Sequence, residues 1–364
     1  MKHYDIVIVG AGIAGASLAA AVAPNASVLL VEAEDMPGYH ATGRSAAYWS
    51  ESYGGPGVQP LTSASGPVLQ AGRFLAPLGS LHIGRTADAA AIDAFLAEFD
   101  DTPVVLERVD PATLVPGLHD DWTLGVMEAS SAYIDVAALH ADFLARARRA
   151  GAELIVDASL RAATRMEGQW RIETSAGNFC ATALVNAAGA WADTVARIAG
   201  AVPIGIQPYR RTMTQLRTAP AAPEGLPHVG DISGQFYFKP EAGGRLWLSP
   251  HDETPVDPCD VQPEELDVAI AIDRFERVVD WKVEAVERRW AGLRSFAPDR
   301  LPVYGFDPRL PGFFWCAGQG GFGIQTAPAG AALAAALLLG RSPDPIVAAI
   351  DPAQYAPDRF RTLA

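Results

Sequence analysis

The chain has 364 residues, 49% of them hydrophobic, and a formal net charge of −14. This is enough for one large or two ordinary domains around a substantial core, which sets aside a disordered chain, and the acidic balance argues against nucleic acid and anionic membrane as partners. Cys180, Cys259 and Cys316 form no CxxC pair and the seven histidines form no HxH or HxxxH group, so neither a disulfide framework nor a metal site is indicated, and a cytoplasmic protein with reduced thiols is expected.

The first elements in chain order read as a dinucleotide-binding unit. An apolar strand over residues 4–9 runs into Gly10-Ala11-Gly12-Ile13-Ala14-Gly15, an alanine-rich helix follows over 16–23, and a second apolar strand over 28–31 ends on Glu32. Gly10 permits the tight turn, Gly12 lets backbone amides approach a pyrophosphate, and Gly15 lets helix pack on strand. The helix start, Ile13 and Ala14, turns unpaired N–H groups toward the phosphates. Glu32, with Ala33 after it, stands where a carboxylate accepts from an unphosphorylated ribose, which points to FAD or NAD rather than NADP. Lys2, the apolar run and Ala21-Val22-Ala23 imitate a signal peptide, but cleavage there would remove the glycine turn. Nothing else approaches the ~20 apolar residues of a membrane span.

Beyond residue 78 the periodicity predicts a helix over 137–150 stopped by Gly151, a strand over 153–156, and a hairpin of 170–174 with 178–182. A buried strand over 183–189 ends in a small-residue turn, and a helix begins near Trp191. Polar and aromatic strands over 212–217, 235–239 and 245–249 suggest an antiparallel sheet. A helix is expected over 262–279, with Pro263-Glu264-Glu265 as its first turn. The strand 312–317, the turn Gly318-Gln319-Gly320-Gly321-Phe322-Gly323 and a helix over 328–339 close the pattern. The expected fold class is α/β: a Rossmann-like nucleotide domain from residues 1–78, 137–205 and 286–364, with a mixed antiparallel-sheet substrate domain from 79–136 and 206–285.

Three glycine-rich strand ends, at 10–15, 187–189 and 318–323, suit a flavin dinucleotide better than a nicotinamide one. Together with Gly38-Tyr39-His40-Ala41-Thr42-Gly43-Arg44-Ser45-Ala46-Ala47, Val185-Asn186-Ala187-Ala188-Gly189-Ala190-Trp191 and Trp290-Ala291-Gly292-Leu293-Arg294, they resemble the D-amino acid oxidase/dehydrogenase superfamily over nearly the whole chain. Within that superfamily the bacterial D-arginine dehydrogenases are the nearest likeness. The resemblance implies non-covalent FAD held by the opening motif and by Arg44, Ser45, Ala46, Val156, Ala188, Gly189, Trp191, Gly292, Gly320, Gly321, Phe322, Gly323 and Ile324. It also implies that Arg294 holds a substrate carboxylate, with the phenols of Tyr53 and Tyr237 beside it. Arg210 or Arg211 supplies a second substrate-facing guanidinium, and Gly321 and Gln325 border the isoalloxazine.

The departures from that family shape the expected substrate. Arginine-oxidising relatives carry an acid in the strand that reads Gly79-Ser80-Leu81-His82-Ile83-Gly84 here, and Leu81 takes its place. Tyr48 replaces a histidine and Ser50 a threonine, with Glu51 adjacent as a possible counter-charge. Loss of a buried counter-ion disfavours a cationic side chain by several kcal/mol, so neutral, apolar or aromatic D-amino acids are expected. The implied reaction is hydride transfer from Cα to flavin N5, then imine hydrolysis to a 2-oxo acid and ammonia. No strong general base is evident; His40 and His82 are lone histidines and carry no such assignment. Glycine, sarcosine-like amines and 2-hydroxy acids are alternative substrates, and a non-catalytic flavin or electron-relay protein is the alternative of another class. The acceptor (quinone, carrier or O2) is open, with a dehydrogenase favoured.

Overall fold

Two sheets set the positions of everything that follows. In the computed structural model, which describes residues 1–363 and side chains through Phe360, strand Lys2–Val9 lies parallel between Val28–Val31 and Gly177–Asn186. Glu153–Ile155 extends the parallel set on one side and Phe313–Ala317 on the other. The antiparallel strands Leu160–Met166 and Gln169–Thr174 complete one edge, and Val303–Phe306 pairs with Phe313–Ala317. Val28–Val31 is an unbroken apolar run because both its faces are covered. On one face pack Ile13–Val22, Val136–Arg149 and Ala327–Leu339; on the other packs Ala192–Ala199. The two alanine-rich helices are apolar all round and correspondingly buried.

The second sheet has ten strands. Its long central pair is Gln207–Ala219 against Lys282–Phe296, followed by Arg245–Ser249, Tyr237–Glu241, His228–Asp231, Ser80–Gly84, Leu124–Glu128 and Glu107–Val109. Only His228–Asp231 with Ser80–Gly84 is a parallel pair within it. Residues 286–296, on the cofactor side of the sequence-derived division, run in this sheet. One face is apolar (Leu81, Leu216, Val229, Phe238, Leu246, Leu248) and is covered by Glu265–Glu276 through Ala271 and Phe275. The opposite face looks toward the first sheet. The short strand Gln319–Gly320 pairs with Ser295 and Phe296 and so ties the last glycine turn to the second sheet.

Element boundaries differ from expectation where polar side chains intervene. The first helix begins at Ile13, one turn before the alanine run, because Gly12 already serves as its cap. The helix expected over 262–279 is confined to Glu265–Glu276; Glu264 is extended at its start, and Pro263 lies outside it. Glu264 and Asp267 there bind Arg210 on the sheet, which fixes where the helix begins. Among the described residues no helix is long and apolar enough to cross a membrane, and no group of three or more His, Cys, Asp or Glu could hold a metal ion.

Candidate active site

A cavity of about 450 Å³ runs along the facing sides of both sheets, taking lining from Glu32 at one extreme and Arg294 at the other. Its nucleotide end is built mostly of backbone. Gly10 has φ +99°, and a Cβ there would sit 2.5 Å from the Ala187 carbonyl oxygen. A Cβ on Gly15 would overlap the Gly10 carbonyl, so Gly15 contacts the turn and not the cavity. Gly12, Ile13 and Ala14 line the cavity, and Thr42 Oγ1 accepts the Ile13 N–H at 3.0 Å. The Glu32 carboxylate accepts the N–H groups of Ala11 (2.8 Å), Ala33 (2.8 Å) and Glu34 (3.2 Å), which fixes its orientation and leaves acceptor capacity for a ribose hydroxyl.

Val156 does not reach this cavity. The chain turns at Asp157, with φ +52°, and the Ala158 N–H bonds the Glu32 carbonyl at 2.7 Å. That turn lays Ala158, Ser159 and Leu160 over the cavity two residues later than expected. Ala188, Gly189 and Trp191 line the middle, where the Trp191 ring stands 4.6 Å from His40. Arg44, Ser45 and Ala46 line it too. The Arg44 guanidinium itself turns to the second sheet, pairing with Asp260 and donating to the carbonyls of Val261 (3.0 Å) and Ala291 (3.3 Å). Gly292, Gly320, Gly321, Gly323 and Ile324 line the far half; Phe322 does not, being buried among Val58 and Phe296 and against Tyr53.

The other end of the cavity collects side chains from four distant segments: Tyr48, Tyr53, Arg211, Met213, Tyr237 and Arg294. Strand alternation explains which residues arrive. Arg211 and Met213 stand opposite Gly292 and Trp290 across the central strand pair, so Arg211, Met213 and Arg294 share the cavity face. Arg210 therefore points the other way, into Asp252 (3.7 Å), Glu264 and Asp267 (2.9 Å), and is a structural ion pair and not a substrate contact. Arg211 donates to the Asp252 carbonyl (2.7 Å) and to Glu253 (3.1 Å), leaving its buried Nη1 without a partner. Burial, then the charge of Arg294, lowers its pKa from the ordinary value. Arg294 makes no ion pair among the described residues; its Nη2 lies 3.5 Å from the Tyr237 hydroxyl, and its guanidinium lies 5.8 Å from the centre of the Tyr53 ring. Burial opposes its charge, but the phenols of Tyr53, Tyr237 and Tyr48 outweigh that and hold its pKa above the ordinary value. A Cβ on Gly321 would meet the Tyr53 hydroxyl at 2.6 Å and Arg294 Cδ at 3.2 Å, so the bare backbone of this turn packs against both side chains.

The same alternation removes Leu81. It is fully buried in the apolar face under Glu265–Glu276, while Ser80 and His82 take the other side of the strand. Ser50 is likewise off the cavity: its N–H donates to the Gln325 side-chain oxygen (3.3 Å) and its hydroxyl to Glu128 (2.8 Å). Gln325 borders the cavity, but its amide is spent on Ser50, the Tyr53 carbonyl (3.0 Å) and Thr62 (2.9 Å). Glu51 turns to Ser63, and burial raises its pKa. No group here is an obvious base near neutral pH. Burial, then Tyr53, raises the Tyr48 pKa well above its ordinary value. Burial, then Arg211 and Arg294, lowers that of His251 to about 3. Thr42, Met213, Ser159, Glu128 and His228 were not anticipated; of these only Thr42 lay inside a recognised motif.

These residues fit a flavin dinucleotide. Bare glycine backbone lines the cavity at Gly10, Gly12, Gly189 and Gly321, with open space where a Gly189 Cβ would stand, a fixed carboxylate lies at the ribose end, and the long cavity joins them to two guanidinium groups. A family model described as "FAD dependent oxidoreductase" (DAO) matches residues 5–337. The bifunctional protein ThiO/ThiG of Synechocystis sp. is 28% identical over 255 residues, 68% of this chain and 36% of that protein. Glycine oxidase of Pseudomonas aeruginosa is 28% identical over 228 residues, 59% of this chain and 58% of the enzyme, so the chain spans less than two thirds of either relative. The solved L-proline dehydrogenase from P. horikoshii superposes with a TM-score of 0.86 at 20% identity, covering 99% of this chain and 98% of that one. With the family model spanning both sheets and the cavity between them, the chain belongs to the DAO family of FAD dependent oxidoreductases.

Proposed function

We propose that this protein oxidises the Cα–N bond of a neutral amino acid, of D configuration, with the substrate carboxylate held by Arg294 and Arg211. The observation that carries the reading is the half-buried Arg294, which has no carboxylate partner among the described residues and stands beside Tyr53, Tyr237 and the Gly321 turn in one cavity. A guanidinium fork takes a carboxylate bidentately and so fixes the α-carbon above the turn. FAD, when bound, supplies the acceptor for the α-hydride. Tyr53 and Tyr237 wall the pocket and orient the carboxylate through Arg294; with no resident base poised near neutral pH, the substrate amine sheds its proton to solvent. The imino acid leaves and hydrolyses to a 2-oxo acid and ammonia. Relatives named for glycine and L-proline support carboxylated amines as a class, and the absence of any Asp or Glu from the cavity lining around Arg294 supports a neutral side chain. We assign the electron acceptor to a quinone or carrier and the protein to the cytoplasm, where three free cysteines are at home.

A second reading, glycine or an N-substituted glycine, is favoured by one feature. Tyr48 stacks on His228 at 4.5 Å and lies 5.1 Å from Tyr53, so aromatic rings occupy the space beyond Arg294. The deciding experiment is anaerobic mixing of holoenzyme with D- and L-amino acids, glycine, sarcosine and 2-hydroxy acids while following flavin absorbance. Bleaching by neutral D-isomers and not by L-isomers is expected. D-Arginine as the best substrate would overturn the side-chain assignment, and bleaching only by glycine and sarcosine would establish the second reading.

A further inference from the structure

Behind the substrate-facing tyrosines lies a buried carboxylate that the proposed chemistry does not use. Glu128, at the end of Leu124–Glu128, is wholly buried and makes no ion pair among the described residues. Its oxygens accept the Ser50 hydroxyl (2.8 Å), the Ser52 hydroxyl, the N–H groups of Glu51 (2.7 Å) and Ser52 (3.3 Å), and the Ser130 hydroxyl (3.4 Å). Four of these five donors come from residues 50–52, the arm that joins Tyr48 to Tyr53. A carboxylate taken out of water without a cation is costly unless every lone pair is used, and here the donors that satisfy it belong almost wholly to one short segment.

Other contacts hold that segment at the Glu51 side chain, which accepts from Ser63, and ahead of the arm, where Tyr48–Trp49 pairs with Ala132 and Tyr133. Tyr53 is followed by Gly54 (φ +105°) and Gly55 (φ +74°), so backbone stiffness does not fix the phenol. From the cofactor side the arm is held by Gln325, through the Ser50 N–H and the Tyr53 carbonyl. From the second sheet it is held by Glu128. A polar row continues from Glu128: Ser80 is its cross-strand partner and also that of His228, and the Ser80 hydroxyl lies 3.2 Å from His228 Nδ1. The His228 ring in turn stacks on Tyr48. Glu128 thus holds the backbone between the two tyrosines, and the row beside it ends under the ring of one of them.

We propose that Glu128 is a positioning residue which, by anchoring residues 50–52 to the second sheet, sets Tyr48 and Tyr53 for carboxylate binding at Arg294; the substrate part of this rests on the amino acid reading above. The test uses holoenzyme and the Glu128→Gln variant, which keeps the volume but meets the arm's donors with a donor of its own. Backbone hydrogen exchange over residues 48–57 is expected to rise at least tenfold, with exchange in the strands of the first sheet and the flavin content unchanged. KM for the best substrate is expected to rise about tenfold, with kcat within about twofold. Ser52→Ala, which removes one donor and leaves the carboxylate, should shift both readouts the same way by about threefold and serves if Glu128→Gln does not fold. Unchanged exchange in the arm would overturn the anchoring. A loosened arm with unchanged KM would overturn its link to substrate. The exchange measurement needs no substrate, so it stands or falls separately from the amino acid reading.

Discussion

The two ends of the cavity are made differently. The nucleotide end is organised around 23 consecutive residues, 10–32, with Thr42 and residues 158–160 laid against them, and works largely through backbone: a turn, a helix start and one carboxylate tied to neighbouring N–H groups. The end proposed for the substrate draws Tyr48, Tyr53, Arg211, Tyr237 and Arg294 from segments up to 246 positions apart (294 − 48) and presents side chains. It also holds charged side chains out of water: Arg211 buried and Arg294 half-buried in the cavity, with Glu128 and Lys239 buried in nearby strands. Binding a common cofactor needs only a backbone shape that a local motif can encode. Selecting a substrate needs charges held away from water, and only a sheet that joins distant segments can supply them.

The sharpest way to separate the two ends is Arg294→Ala. The variant should lose about 10³-fold in kcat/KM, roughly 4 kcal/mol, the usual cost of removing one partner of a buried charge pair. FAD content should be unchanged; an Arg294→Ala enzyme that also loses flavin would show that the ends are not independent. Leu81→Ala tests the opposite boundary. Because Leu81 packs under Glu265–Glu276 and not in the cavity, it should cost about 3 kcal/mol of stability by denaturant unfolding while leaving KM alone. A changed substrate preference in that variant would restore Leu81 to the site. At the nucleotide end, Gly15→Ala drives a methyl into the Gly10 carbonyl and should cost about 2 to 3 kcal/mol, read as lower thermal stability and lost flavin. Retained flavin at wild-type affinity would mean the turn can relax.

How much was legible follows the same division. The opening motif, the parallel strands and both alanine-rich helices stood in the sequence because each depends on neighbours a few residues away. Arg294, Tyr53 and Tyr237 were legible only through family motifs. The orientation of Arg210 and Arg211 was not, since it depends on which face of Gln207–Ala219 the partner strand leaves toward the cavity. Leu81 could have been placed by alternation alone: Leu81 and Ile83 are the apolar pair, Ser80 and His82 the polar one. Val156 missed by two residues because a non-glycine turn at Asp157 leaves no mark in composition. Glu128 carried no signal, for four of its five donors lie 76 to 78 positions away.

The smallest effect expected is also the one that best probes where buried charge resides. Lys239 is 1% exposed, lies over the rings of Trp247 (4.1 Å) and Tyr133 (4.5 Å), and stands 3.3 Å from Glu241. Burial lowers its pKa from 10.5 to about 8, with Glu241 partly opposing the shift. Below pH 8 both folded and unfolded chains carry the proton, and the folded chain bears the cost of burying it. Between pH 8 and 10.5 the unfolded chain holds a proton that the folded one has released, so stability rises with pH through that window. The contribution is complete above 10.5 and is lost as pH falls through 8. Relative to Lys239→Met, wild-type protein should therefore gain about 2 kcal/mol between pH 8 and 10.5, less than the full shift implies because the two rings favour the cation. Parallel stability curves for the two proteins would mean the aromatic cage holds the charge as well as water does. In that case the charge behind the substrate end costs nothing, and the contrast between the two ends rests on the cavity arginines and Glu128 alone.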